Sequence, residues 1–327
     1  MGRIFNRWCV RTNVNLWGAI FLDHTHTVHR HRAPGEIMAL SESLGQSHEI
    51  ELPGGRIRYY ENGSGAPVVF VHGLLVNANL WRKVVPDIAA VGYRCLTPDW
   101  PLGAHSIPVP DADLTPTSLA DTMAAFLAQL DLHDVTLVAN DTGGAIAQIM
   151  LSRSTERIGR VVLASVDCYE RFLPPPFNVL PPLAKIPGSI RPLTELLRIR
   201  ALHPLPVALG WVAKHQVPFE IVDSYLLPSR NSAAIRKDLR RFLKTANRRH
   251  TLDAATRYAN IDVPVLLAWA REDKLFPMRY PERLAADLPN ATLRWIEDSY
   301  TASPEDQPEL LTKMILEFTR SNDKPPH

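Results

Sequence analysis

The stretch V-T-L-V-A-N-D-T-G-G-A-I-A-Q, residues 135–148, constrains the fold more than any other part of the chain. Its first half is a continuous apolar run, as a strand buried on both faces of a parallel sheet requires. Its second half is rich in small, helix-compatible residues, so the chain must turn from strand to helix around Asp141. So abrupt a turn brings two backbones together and leaves room only for small side chains beside its centre. Ala139, Gly143 and Gly144 occupy those places. Asp before glycines also makes an ordinary helix N-cap. The buried strand before the turn, and a second apolar strand P-V-V-F-V (67–71) ending in His72-Gly73, instead favour an elbow that presents Asp141 above a sheet.

The rest of the chain supplies such a sheet. H-E-I-E-L and R-I-R-Y-Y-E, separated by Pro53-Gly54-Gly55, read as an antiparallel hairpin. Beyond it, Y-R-C-L-T-P-D (93–99), R-V-V-L-A-S-V (160–166), P-V-L-L-A-W-A (264–270) and A-T-L-R-W-I (291–296) alternate with helical segments such as S-L-A-D-T-M-A-A-F-L-A-Q-L. Alternating strand and helix imply a mostly parallel sheet with helices on both faces. The alternation stops between 168 and 255, where eleven of the 28 prolines fall. This stretch is expected to be a helical cap, in which I-R-K-D-L-R-R-F-L-K places Ile235, Leu239, Phe242 and Leu243 on one face. The expected division is an extension over 1–45, core over 46–167, cap over 168–255 and core again over 256–322.

The extension carries Arg3, Arg7 and Arg11, a short apolar run, then D-H-T-H-T-V-H-R-H-R, with four of the twelve histidines. The apolar run is too short to span a membrane and no small-residue cleavage pattern follows it. A disordered extension, or initiation at Met38, is the expectation. With 36 Lys plus Arg against 34 Asp plus Glu, the charge gives no basis for a nucleic-acid surface. Cys9, Cys95 and Cys168 lack metal-ligand spacing and cannot pair completely, which fits a reducing, cytoplasmic setting without metal. The expected partner is a small molecule, with no cofactor and no membrane; the sequence does not reveal oligomeric state.

Together with V-H-G-L-L-V-N-A-N-L-W, P-D-W-P-L-G-A-H-S and A-W-A-R-E-D-K-L-F-P, the elbow resembles the α/β-hydrolase superfamily over about residues 48–320. Within it, Asp141 resembles the branch with aspartate nucleophiles, which includes haloalkane dehalogenases, epoxide hydrolases and fluoroacetate dehalogenases. The resemblance implies an eight-stranded, mostly parallel α/β sheet with an inserted cap. It implies that Asp141 attacks an electrophilic carbon to form an ester. It also implies an oxyanion hole made by the N–H groups of Leu74 and Thr142, and a histidine oriented by Asp273.

Here the pattern breaks. After Asp273 the only histidine is His327, and T-A-S-P-E-D-Q-P puts Thr301 where the superfamily carries its general base. Thr142 and Leu74 also replace side chains that would donate N–H to a halide. Tyr169 and Tyr225 are available as acids for epoxide opening. His105, after the fourth strand, is a candidate pocket residue, as are Asp167 and Thr301; Glu170 lies beside Asp167. His72 reads as a support for its loop, and nothing in the spacing of His203, His215 or His250 suggests catalysis. The expected function is hydrolysis of a small apolar ester, epoxide, lactone or alkyl halide through Asp141. The alternatives are a non-hydrolytic lyase or decarboxylase, or a degenerate binding protein.

Overall fold

The computed structural model describes residues 42–322, apart from 198 and 207. The expectations for the basic and histidine-rich leader therefore lie outside the described residues. The expected extension is too long at its inner end. Glu42–Leu44 form a turn of 3-10 helix, and Leu44 is fully buried against Val68 and Phe70 in the core.

Eight strands form one sheet: β1 (Gln46–Leu52), β2 (Gly55–Asn62), β3 (Ala66–Val71), β4 (Tyr93–Pro98), β5 (Val135–Asp141), β6 (Ile158–Val166), β7 (Val265–Ala270) and β8 (Ala291–Ile296). Their order is β1-β2-β4-β3-β5-β6-β7-β8. β1, β2 and β4 pair antiparallel, and every pair from β4-β3 to β7-β8 is parallel. The helices are α1 (Val85–Ala90), α2 (Pro116–Gln129), α3 (Thr142–Leu151), α4 (Leu180–Lys185), α5 (Ile190–Leu196), α6 (Phe219–Asn231), α7 (Ala233–Thr245), α8 (Arg249–Ala255), α9 (Arg279–Asp287), α10 (Ser303–Asp306) and α11 (Pro308–Ser321).

The central strands show why the sheet is covered on both sides. Along β3, Val69 and Val71 join one core with Leu119, Met123 and Phe126 of α2, whereas Val68 and Phe70 join another with Ile88 of α1 and Ile315 of α11. Successive side chains point to opposite faces, so a run with no polar residue needs a helical layer on each face. The parallel strands also set the site. β3, β5, β6, β7 and β8 all run the same way, so the segments leaving them meet at one edge, where ligands bind in open α/β sheets.

The insertion between β6 and β7 is helical and is tied to that edge in three places. α7 buries Ile235, Leu239, Phe242 and Leu243 as its periodicity requires, each worth roughly 1.5–3 kcal/mol. It also buries Asp238, which accepts the Val109 N–H at 2.9 Å, while Arg241 donates to the carbonyls of Pro110 and Ala112. On α6, the Tyr225 hydroxyl donates to Glu305, itself paired with Arg82 and Lys83. The third tie is Asp306, which accepts the backbone N–H groups of Lys214 and His215.

Candidate active site

The elbow at Asp141 follows from close packing. Asp141 ends β5 with φ 53° and ψ −134°, a conformation that L residues hold only when their surroundings enforce it. The enforcement is visible. A Cβ at Gly143 would run into the His72 carbonyl, and one at Gly144 into Val166. Asn140 fixes the strand end by donating to Ala164 O at 2.6 Å and to Thr301 O at 2.8 Å.

The Asp141 carboxylate accepts the backbone N–H groups of Thr142 and Leu74, the pair singled out in the sequence. Its Oδ2 lies where a Cβ of residue 73 would be, so only glycine fits there. Burial pushes the carboxyl up to about 6, and the two N–H groups oppose that rise by favouring the charged form. Position at the N-terminus of α3 favours the anion as well.

Asp167 is the first residue after β6 and is fully buried. Its N–H donates to Asp141 O at 3.3 Å, its Oδ2 accepts the Thr142 hydroxyl at 2.8 Å, and its Oδ1 accepts the Leu173 N–H at 2.9 Å. Burial, then the charge of Asp141, holds this carboxyl well above the usual carboxylate range.

Asp273 follows β7. Its Oδ1 accepts the N–H groups of Leu275 (2.8 Å) and Phe276 (2.9 Å), and the Thr301 hydroxyl at 2.9 Å. Thr301 thus stands beside Asp273, and it is completely buried. Burial raises Asp273 to about 6 against those donors and the Ser165 hydroxyl.

Asp141 and Asp167 line an apolar cavity of about 110 Å³, whereas Asp273 and Thr301, the latter expected in the pocket, do not. Asn140, Asp141, Thr142, Asp167, His203 and Tyr225 are its polar residues, and Leu74, Phe177, Leu209, Val222 and Leu275 are among its apolar walls. No lysine or arginine lines it among the described residues.

His105 departs from its expected place. It is buried away from the cavity, with Nδ1 accepting the Gly103 N–H at 3.3 Å and Nε2 3.2 Å from Asp238 Oδ2. That pairing makes Nε2 the protonated nitrogen, and burial lowers the basicity of the ring. Its role is to anchor α7. His72 is similarly occupied, taking the Trp100 N–H on Nε2 at 2.9 Å and facing Gly73 O with Nδ1. Burial lowers its pKa to about 4.

Neither expected tyrosine offers a free hydroxyl. Tyr169 donates to Asp287 at 2.6 Å and does not line the cavity, whereas Tyr225 lines it with its hydroxyl turned to Glu305. Glu170 is outside too, accepting the Tyr280 hydroxyl at 2.8 Å.

One histidine that sequence spacing passed over does reach the wall. His203 lines the cavity and faces Leu197 O with Nε2 at 2.8 Å. No local pattern marks it, because its position depends on how the insertion folds back. Gly73 was legible only as part of His72-Gly73, without the carboxylate it accommodates.

Fold and elbow define a class, and similarity to known proteins agrees with it. Residues 66–204 match the family model described as the alpha/beta hydrolase fold. An uncharacterised hydrolase of Bacillus subtilis is 27% identical over 285 residues, 85% of this chain and all of that protein. A haloalkane dehalogenase of Mesorhizobium japonicum is 32% identical over 126 residues, 38% of this chain and 40% of that one. Among solved structures, an epoxide hydrolase superposes with a TM-score of 0.70 at 18% identity, over 85% of this chain and 99% of the other, a likeness of fold. The chain has the α/β-hydrolase fold, and these matches support membership of that superfamily. The relatives' names support a hydrolase.

Proposed function

We propose that this protein hydrolyses a small, largely apolar substrate through a covalent ester on Asp141. The observation that carries this reading is the Asp141 carboxylate itself, held by the N–H groups of Leu74 and Thr142 beneath an apolar cavity. One carboxylate oxygen attacks a saturated or strained carbon, and the leaving group departs with the bond electrons. Water then attacks the carbonyl carbon of the resulting ester. The negative charge that develops falls on an oxygen of Asp141, where the two N–H groups stand ready to stabilise it.

The wall chemistry narrows the substrates. Thr142 and Leu74 offer no side-chain N–H to a halide, and no tryptophan lines the cavity among the described residues. Epoxides, lactones and esters therefore fit better than alkyl halides as natural substrates; halides remain useful probes. Thr301 in place of a water-activating histidine favours a second reading, a lyase or decarboxylase that needs no water.

Intact-mass spectrometry after incubation with epoxides, lactones and alkyl bromides tests the reading. The expected result is an adduct that maps to Asp141 and disappears in Asp141→Ala together with turnover. Heavy-oxygen water should place label in Asp141 during a single turnover. A lyase would leave both product and Asp141 unlabelled, and turnover surviving in Asp141→Ala would overturn both the nucleophile and the ester.

A further inference from the structure

We propose that Asp167 is the proton-transferring carboxyl of this site, giving a proton to the leaving group as Asp141 attacks and taking one from water as the ester is hydrolysed. The inference rests on the nucleophilic role given to Asp141 and supplies the group that Thr301 cannot.

Geometry carries it first. Asp141 and Asp167 leave neighbouring parallel strands, are joined by the Asp167 N–H to Asp141 O contact, and both line the cavity. The Thr142 hydroxyl lies between the carboxyls, donating to Asp167 Oδ2 and also touching Asp141. Leu173 fixes the other oxygen of Asp167. Two carboxyls are thus held side by side under one apolar enclosure.

Charge carries it next. Asp167 faces Asp141 across β5 and β6, and Asp273 adds a third carboxylate from the segment after β7. Cys168 is its buried neighbour, and His203 and Tyr225 are the titratable groups among the described residues that the insertion brings to the same wall. Since neither lysine nor arginine lines the cavity among the described residues, simultaneous ionisation would set like charges against each other in an apolar space. A retained proton relieves that conflict, and because two N–H groups at a helix N-terminus favour the anion of Asp141 while Asp167 accepts only one N–H, the proton belongs on Asp167.

The other candidates are occupied. His105 is bound to Asp238, Tyr225 to Glu305 and Tyr169 to Asp287. Asp167 remains as the carboxyl adjoining the nucleophile.

The steps balance for an epoxide. An Asp141 oxygen forms a bond to ring carbon, the carbon–oxygen bond breaks, and the alkoxide takes the Asp167 proton. Water then adds to the ester carbonyl while the Asp167 carboxylate accepts its proton. The tetrahedral intermediate collapses to the Asp141 carboxylic acid and an alkoxide; the alkoxide takes the proton of that acid, and the proton from water stays on Asp167. Epoxide and water become a diol, and both carboxyls return to their starting states.

The experiment compares an epoxide with an alkyl bromide, whose leaving group needs no proton. In the wild-type protein, alkylation of Asp141 by bromide should rise with pH to a plateau. Alkylation by epoxide should instead pass through a maximum and fall as Asp167 loses its proton. Asp167→Asn keeps an acceptor for Leu173 and a polar partner for Thr142. It should still be alkylated by bromide, accumulate the adduct, and lose epoxide turnover by ~10²- to 10⁴-fold. Formate should restore part of the turnover in Asp167→Ala. Bromide and epoxide profiles of the same shape, Asp167→Asn turnover within about threefold of wild type, or an adduct that stalls in His203→Gln instead would each overturn the inference. Turnover that survives in Asp141→Asn would remove the underlying reading as well. An inactive Asp141→Asn beside a normal Asp167→Asn would remove this inference alone.

Discussion

Asp141 and Asp273 are two aspartates at the same sheet edge, both raised to about 6, yet Asp141 is partly exposed, Asp273 is buried, and their surroundings differ. Asp141 is held by backbone N–H groups from two segments, Leu74 and Thr142, and lines the cavity. Asp273 is turned into its own loop, where Leu275, Phe276 and Thr301 share one oxygen. Its other oxygen makes no hydrogen bond of good geometry, although the Ser165 hydroxyl also favours its charge. A similar upward shift therefore arises at one position on the cavity wall and at another inside a loop. What separates them is whether the carboxyl held there lines the cavity.

Removing the Asp273 charge should have the largest effect. Asp273→Asn retains the acceptor for Leu275 and Phe276, and Ser165 can accept from its new amide. Because the folded protein binds the Asp273 proton more tightly than the unfolded chain, this group's contribution is full below the ordinary carboxylate range and disappears as pH rises through about 6. Denaturation should therefore show Asp273→Asn gaining roughly 3 kcal/mol over wild type near pH 8 and nothing near pH 4. A loss at both would mean the charge is compensated after all.

Gly73→Ala strikes the other side of the comparison. The new methyl would meet Asp141 Oδ2 and Cβ, so adduct formation should slow by ~10²-fold and the melting temperature should fall. Unchanged alkylation would show that the N–H groups do not fix the carboxylate. The smallest effect is expected from Thr301→His, which gives Asp273 a partner again. Release of a preformed Asp141 ester should accelerate by about tenfold and acquire a limb in the imidazole range. No change in release would show that the loop cannot aim an imidazole at the ester.

How far the sequence revealed these arrangements depended on distance along the chain. The parallel strands were legible because continuous apolar runs have few other uses, and the Asp141 turn because steric limits act on its immediate neighbours. The face of α7 followed from its periodicity, with Ile235, Leu239, Phe242 and Leu243 buried together. His105 was misplaced because its partner, Asp238, lies far along the chain in the insertion. The same distance hid His203 at the wall and turned the Tyr225 hydroxyl toward Glu305. Thr301 was placed by chain order, but only the structure shows its hydroxyl on Asp273.

The concentration of acid groups beneath an apolar wall has a consequence for traffic through the site. A neutral ligand enters without meeting opposed charge, whereas an anion must approach Asp141 and Asp167 with no lysine or arginine on the described wall to receive it. Were a lactone opened there, its carboxylate product would be driven outward by the charge of the carboxylates around it. A diol from an epoxide receives no such push, and for that product departure should depend on how readily the apolar wall gives way.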